Sequence, residues 1–223
     1  MFVGHGYEWS LKEFGCLFAY NLAQERKATS VLEFGNGYNP SFSNIFKKEG
    51  VSYACMDNPM GNQGIQGNAE KVERMISAIS DNGHSYYRAL LGDKNPAAPN
   101  EGFDLIFSIS VIEHINDDAM GACLEDAWRL LRPGGMIAGT IDVYPGSKKH
   151  KSWHKAALDC GFEVEKPYTE KWEFSGAHTT FLERSDVRYQ VYQRSKDISD
   201  PLEAGLPYIT QFATSIHCAV KPR

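Results

Sequence analysis

The chain has no CxxC pair, no apolar run long enough to span a bilayer, no excess of basic residues, and no repeat or low-complexity segment. Each absence removes a class of protein. Cys16, Cys55, Cys123, Cys160 and Cys218 are scattered, so neither a zinc ribbon nor a disulfide framework is expected, and reduced thiols in a cytoplasmic protein are. Residues 1–9 lack the basic start and apolar core of a signal peptide. The apolar stretch at 14–20 is far shorter than the ~20 residues a membrane helix needs, so no membrane association is expected. A net charge of −5 and a pI near 5.8 argue against a duplex nucleic-acid partner, which selects a basic face.

What remains is a globular composition. Of 223 residues, 42% are hydrophobic, and twelve Phe, eleven Tyr and four Trp supply the bulk for a sizeable core. Leu11, Phe14, Leu17, Phe18 and Leu22 recur at helical spacing and predict a helix over 10–26. Val31-Leu32-Glu33-Phe34-Gly35 reads as a short buried strand, and Asn39-Pro40 as the N-cap and first position of a helix ending near Gly50. The pattern continues with a strand at 51–56, a helix at 69–80, strands at 86–91 and 103–109, a helix capped by Asn116, and a strand at 136–141. Pro133-Gly134-Gly135 is expected to stop that last helix. Apolar strands alternating with helices predict a mostly parallel sheet covered on both faces. Beyond residue 150 the expectation is a short helix at 153–160, strands at 161–165 and 209–220, and an aromatic insertion at 166–207 with strand character at 187–193. The chain is read as one domain: an N-terminal helix or lid at 1–29, a ligand-binding half at 30–150, and C-terminal strands with the insertion at 151–223.

Glu33-Phe34-Gly35-Asn36-Gly37-Tyr38-Asn39-Pro40 carries the chemistry. Glycines after a strand let the backbone turn tightly and approach a ligand at the head of the next helix. A dinucleotide loop requires a third glycine where Pro40 stands. Glu33 also places a carboxylate beside the loop, which repels a pyrophosphate by roughly 1–4 kcal/mol and attracts an ammonium. The amino-acid part of S-adenosylmethionine carries such an ammonium, and its carboxylate suits the amides of a helix start. Asp57, 24 residues after Glu33 at the end of the next strand, is placed to accept the two ribose hydroxyls.

Three stretches resemble the motifs of class I, Rossmann-like S-adenosylmethionine-dependent methyltransferases. Val31-Leu32-Glu33-Phe34-Gly35-Asn36-Gly37 resembles their first motif, and Phe103-Asp104-Leu105-Ile106-Phe107-Ser108-Ile109-Ser110-Val111-Ile112-Glu113-His114-Ile115 their fourth-strand motif. Leu130-Leu131-Arg132-Pro133-Gly134-Gly135 resembles the turn before their fifth strand. The three occur in family order over roughly residues 28–145. The resemblance implies a three-layer sandwich around a seven-stranded sheet whose last strand is antiparallel, with S-adenosylmethionine bound and S-adenosylhomocysteine released. It further implies that Asp93 bonds the adenine amine with Lys94 beside it, that Met56, Asn58 and Met60 flank the ribose and adenine, and that Ser108 and Ile109 contact the cofactor through their backbone. Asn36 and Asn39 depart from the pattern, standing where Cys or Ser and Gly are more usual.

His114 is the first candidate general base and Glu113 its neighbour, both just past the fourth strand, where open α/β sheets bind ligands. The competing reading makes both structural. Asp142 and Tyr144 follow the fifth strand and are candidates for the acceptor pocket, as is His178 in the insertion. Tyr7 and Trp9 precede the first helix; family segments of this kind fold over the cofactor, and simple packing is the equal alternative. His150 and His154 share a helix face at i, i+4, but no third ligand completes a metal motif, so a solvated helix start is expected and no metal. His217 is expected to be an ordinary packed or exposed strand histidine. The expected activity is methyl transfer to a small molecule, oxygen slightly favoured, by a monomer or homodimer. An aminopropyl-type transferase and a catalytically silent partner-binding subunit are the alternatives.

Overall fold

The computed structural model describes residues 8–37, 40–58, 69–143, 149–164, 179–183 and 211–223. Along the chain run α1 (Glu8–Glu25), β1 (Ser30–Phe34), α2 (Ser41–Glu49), β2 (Ser52–Met56), α3 (Ala69–Asp81), β3 (Ser85–Tyr87) and β4 (Phe103–Ile109). A 3-10 turn (Ile112–His114), α4 (Met120–Leu130), β5 (Leu131–Val143), α5 (Lys149–Asp159), β6 (Glu163–Val164), β7 (Thr179–Glu183) and β8 (Gln211–Val220) follow. The sheet order is β3-β2-β1-β4-β5-β8-β6, parallel from β3 to β5, with β8 antiparallel to β5 and β6. This is the expected seven-stranded arrangement, extended by β7. That strand pairs with the first half of β8 from Gln211 to Ser215, while β6 pairs with its end at Ala219 and Val220. The strand expected at 187–193 lies outside the described residues.

Alternation of side chains along each strand divides the core into two layers. Val31, Tyr53, Cys55, Leu105, Phe107 and Ala138 point to one face and pack with Ala19 and Ala23 of α1, Phe42 and Phe46 of α2, and Met75 and Ile79 of α3. Leu32, Ala54, Met56, Ile106, Ile137 and Ile141 point to the other and pack with Leu124 and Ala127 of α4 and Trp153 and Ala157 of α5. Because β1, β2, β4 and β5 are covered on both faces, their sequences read as continuous apolar runs.

Four local expectations change. The strand expected at 86–91 is only three residues long, Ser85–Tyr87, and ends before Arg88. Pro40 is the N-cap of α2, not its first helical residue, and caps without a side-chain bond. Asn116 does not cap α4: its carbonyl accepts from Ala119 N–H in a separate turn, and Ala119 takes the cap position. Lys149 fixes that turn by donating to Ile115 O and to Asp117 Oδ1. Pro133-Gly134-Gly135 lies inside β5, where the register jumps from Phe103↔Leu131 to Leu105↔Met136; the helix has already ended at the extended Leu131. No helix among the described residues is long and apolar enough to cross a membrane.

Candidate functional site

The carboxyl ends of β1, β2 and β4 meet at one edge of the sheet, and the loop after β1 is shaped there by two different glycines. Gly35 has φ +70°, donates to Met56 O at 3.0 Å, and would place a Cβ 2.7 Å from both Val111 methyl carbons. It is therefore fixed by backbone conformation and by packing against the segment after β4. Gly37 has φ +62° but no described residue within 4 Å of where its Cβ would be, and its N–H donates to Asp57 Oδ2 at 3.0 Å. One glycine is packed against the protein; the other meets no described side chain.

Two acids lie beneath this loop. Asp57 is buried, and burial raises its pKa against the opposing pull of the Gly37 and Asn58 amides. Glu33 is 6% exposed and accepts a 2.6 Å hydrogen bond from the Tyr53 hydroxyl. Burial pushes its pKa up to about 8; the Tyr53 bond opposes this and the Asp57 charge adds to it. Glu33 is therefore a weaker acid than the free carboxylate expected from the sequence. Cys55, the register partner of Glu33, is also buried, and burial followed by the charges of Glu33 and Asp57 raises its thiol pKa. Asn36 is tied into the same group, its side chain bonding Tyr53 and its backbone facing Cys55.

At the end of β4, Ser108 is buried on the α5 face, its hydroxyl oxygen 3.0 Å from where a Cβ on Gly139 would sit. Ile109 points the opposite way, onto Gly15 of α1, whose Cβ would lie 2.6 Å from its Cγ2. Ser110 has φ +52° and donates its N–H to Thr140 Oγ1 at 3.0 Å. In the following turn the side chain of Glu113 is 11% exposed and that of His114 is 79% exposed, with His114 Nε2 and Glu113 Oε1 4.0 Å apart. Of the two, only His114 is displayed to solvent.

Asp93 and Lys94 lie in a turn that packs on α4. Asp93 accepts from Leu90 N–H at 2.8 Å, and Lys94 Nζ pairs with Glu125 of α4 at 3.3 Å. The amides of Gly92 and Lys94 both donate to Asp126 Oδ2, which docks this turn on α4. Tyr7, Met60, Tyr144 and His178 lie outside the described residues, as do the side chains of Trp9 in α1 and Asp142 in β5.

Two features escaped the reading from sequence. Tyr53 is one; period-two spacing along β2 puts it on the face of Cys55 and Asp57, a signal visible only once the strand is known to adjoin Glu33. The other is a buried pair, His154 Nε2 to His217 Nδ1 at 3.0 Å, packed against Trp153. His154 is therefore not on a solvated helix start. Burial, then the neighbouring His150, pushes its pKa down to about 4, and His217 is lowered by burial and by its histidine neighbours. Among the described residues no three such side chains are arranged to hold a metal ion.

A sheet of order 3-2-1-4-5-7-6, counting β8 as the seventh strand, with an acid-backed glycine loop at its carboxyl edge, is the architecture of class I S-adenosylmethionine-dependent methyltransferases. The chain belongs to the methyltransferase domain family, whose model matches residues 11–181. No curated protein matches it by sequence. Solved structures share the fold at low identity. A protein from Galdieria sulphuraria, provisionally assigned as a sarcosine dimethylglycine methyltransferase, is 15% identical over 94% of this chain and 86% of its own, with a TM-score of 0.58. The [4+2]-cyclase SpnF is 12% identical over 92% and 81%, at 0.57. Geranyl diphosphate C-methyltransferase from Streptomyces coelicolor A3(2), solved with Mg2+, geranyl diphosphate and S-adenosyl-L-homocysteine, is 10% identical over 86% and 72%, at 0.55.

Proposed function

We propose that this chain transfers a methyl group from S-adenosylmethionine, held at the loop after β1, to a small-molecule acceptor, with oxygen the favoured acceptor atom and the cytoplasm the place of action. The observation that carries this reading is the pair of buried acids, Glu33 and Asp57, under the Gly37 loop. A ligand there gains by bringing hydroxyl donors and a positive charge, and loses by bringing a pyrophosphate. The residues present fit the cofactor: Glu33 toward its ammonium, Asp57 toward the ribose hydroxyls, and the Gly35-Asn36-Gly37 backbone beside its amino-acid part. In this reading Asn58 and Met60 would serve the ribose side, Ser108 and Ile109 would offer backbone contacts, and Asp93, with Lys94 beside it, would bond the adenine amine.

When bound, the cofactor supplies an electrophilic methyl on a sulfonium. The chain's own task is then to align the acceptor, exclude water and take up a proton where the acceptor loses one. His114, exposed beyond β4, is the base in this reading, with Glu113 beside it. Tyr7, Trp9, Asp142, Tyr144 and His178 are the residues assigned to the acceptor in this reading. The acidic balance of the chain favours a small acceptor over nucleic acid.

Calorimetric titration with S-adenosylmethionine, S-adenosylhomocysteine and NAD tests this. The sulfur ligands bind and NAD does not. Asp57→Asn, which keeps an acceptor for the Gly37 amide, weakens binding by roughly 1–3 kcal/mol, about 5- to 150-fold. Unchanged affinity would remove Asp57 from the ribose. His114→Ala lowers turnover and leaves cofactor affinity intact; full activity removes it as the base.

A further inference from the structure

The ends of β1 and β2 bury four proton-bearing side chains together: Glu33, Tyr53, Cys55 and Asp57. Tyr53 donates to Glu33 at 2.6 Å, and Asn36 reaches the same tyrosine hydroxyl from the loop. Among the described residues, the other neighbours of Glu33 add no positive charge. β4 presents Phe107, the register partner of Glu33, and α2 presents Phe42, edge-on to Phe107, and Phe46, stacked on Tyr53. From β3, Tyr86 donates to the backbone oxygen of Asp57, and His84 lies edge-on to Tyr53. The nearby cations are used elsewhere, Lys47 on Asn82 and Arg88 on Glu73. Two adjacent buried carboxylates without a cation are costly, so the group holds a proton or takes a positive charge from outside.

We propose that Tyr53 and Asn36 are positioning residues that orient the Glu33 carboxyl, which its burial beside Asp57 keeps protonated until an ammonium-bearing ligand enters the loop and expels one proton. The O–H bond of the Glu33 carboxyl breaks, its proton passes to solvent, and the carboxylate left behind pairs with the ligand's ammonium; no other bond changes. Asn36, the departure from the family's first motif, then has a role: it bonds the tyrosine that orients the acid. This rests on the cofactor reading above, since it takes the ligand's amino group to face Glu33.

The test is calorimetric titration of the full chain with S-adenosylhomocysteine at about pH 6.5, where an α-amino group is protonated, in phosphate and in imidazole, two buffers with different heats of protonation. The wild type releases close to one proton, and the release fades as pH rises through about 8. Glu33→Gln binds with no release attributable to this site. Tyr53→Phe removes the bond that favours the ionised acid, so binding weakens and release persists to higher pH; Asn36→Ala moves that midpoint the same way by less. A merely structural role for Tyr53 would lower affinity without moving the midpoint. Equal heats in the two buffers, in a wild type that binds, overturn this proposal and leave the cofactor site standing. Absence of binding by folded protein overturns the cofactor site and the proposal together.

Discussion

Replacing Glu33 by Gln tests the burial argument without any ligand. In the unfolded chain this carboxyl titrates near 4.5; in the folded chain it holds its proton up to about 8. Between those values the folded state binds a proton that the unfolded state has lost. The associated stability is fully present below pH 4.5 and is lost as pH rises through 8. Each pH step within the window costs about 1.36 kcal/mol, so between pH 4.5 and 7 wild type loses about 3 kcal/mol from this group alone. Glutamine keeps an acceptor for the Tyr53 hydroxyl and has nothing to ionise. Relative to wild type, Glu33→Gln therefore gains about 3 kcal/mol over that interval, on the order of 10 °C in Tm for a chain of this size. Urea unfolding of both proteins at half-unit steps from pH 4.5 to 8 measures it. The quantity to read is the difference between the two curves, because other groups titrate in both. Parallel curves would show that Glu33 is ionised throughout, and would refute the desolvation argument.

The buried histidines act with the opposite slope. His154 titrates near 6.5 when unfolded and about 4 when folded, so its contribution is present above pH 6.5 and is lost as pH falls through 4. The double variant His154→Leu/His217→Leu, which leaves neither partner orphaned, resists acid better than wild type in circular-dichroism titration; an unchanged acid midpoint would mean that the pair is not buried neutral. The two loop glycines separate packing from ligand approach. Gly35→Ala meets Val111 as well as an unfavourable φ and loses roughly 2–5 kcal/mol in urea unfolding. Gly37→Ala, which meets no described residue within 4 Å, loses only about 1–2 kcal/mol, and its larger effect is on S-adenosylhomocysteine affinity. Equal losses of stability would show that the Val111 contact does not constrain the loop.

Local periodicity decided most of the frame. α3 runs from Ala69 to Asp81 because Val72, Met75 and Ile79 recur on one face, and β1 and β4 are apolar runs because both of their faces are covered. The glycine loop, the acid before it and Asp57 at the next strand end were equally legible, since a strand-loop-helix unit fixes their order along one short stretch of chain. The caps of α2 and α4 lie one and three residues beyond the expected Asn39 and Asn116, and that of α4 depends on contacts such as that of Lys149 with Ile115 and Asp117. Only the tertiary structure decided the state of the groups themselves. The proton affinity of Glu33 is set by its burial, then by Tyr53 and Asp57 at the neighbouring strand, and the pairing of Lys94 with Glu125 depends on how its turn docks on α4. The His154–His217 pair joins residues 63 positions apart. Pattern along a chain reports which face is buried; charge and proton affinity are set by what lies across the gap, and that is fixed only when strands pair and helices dock.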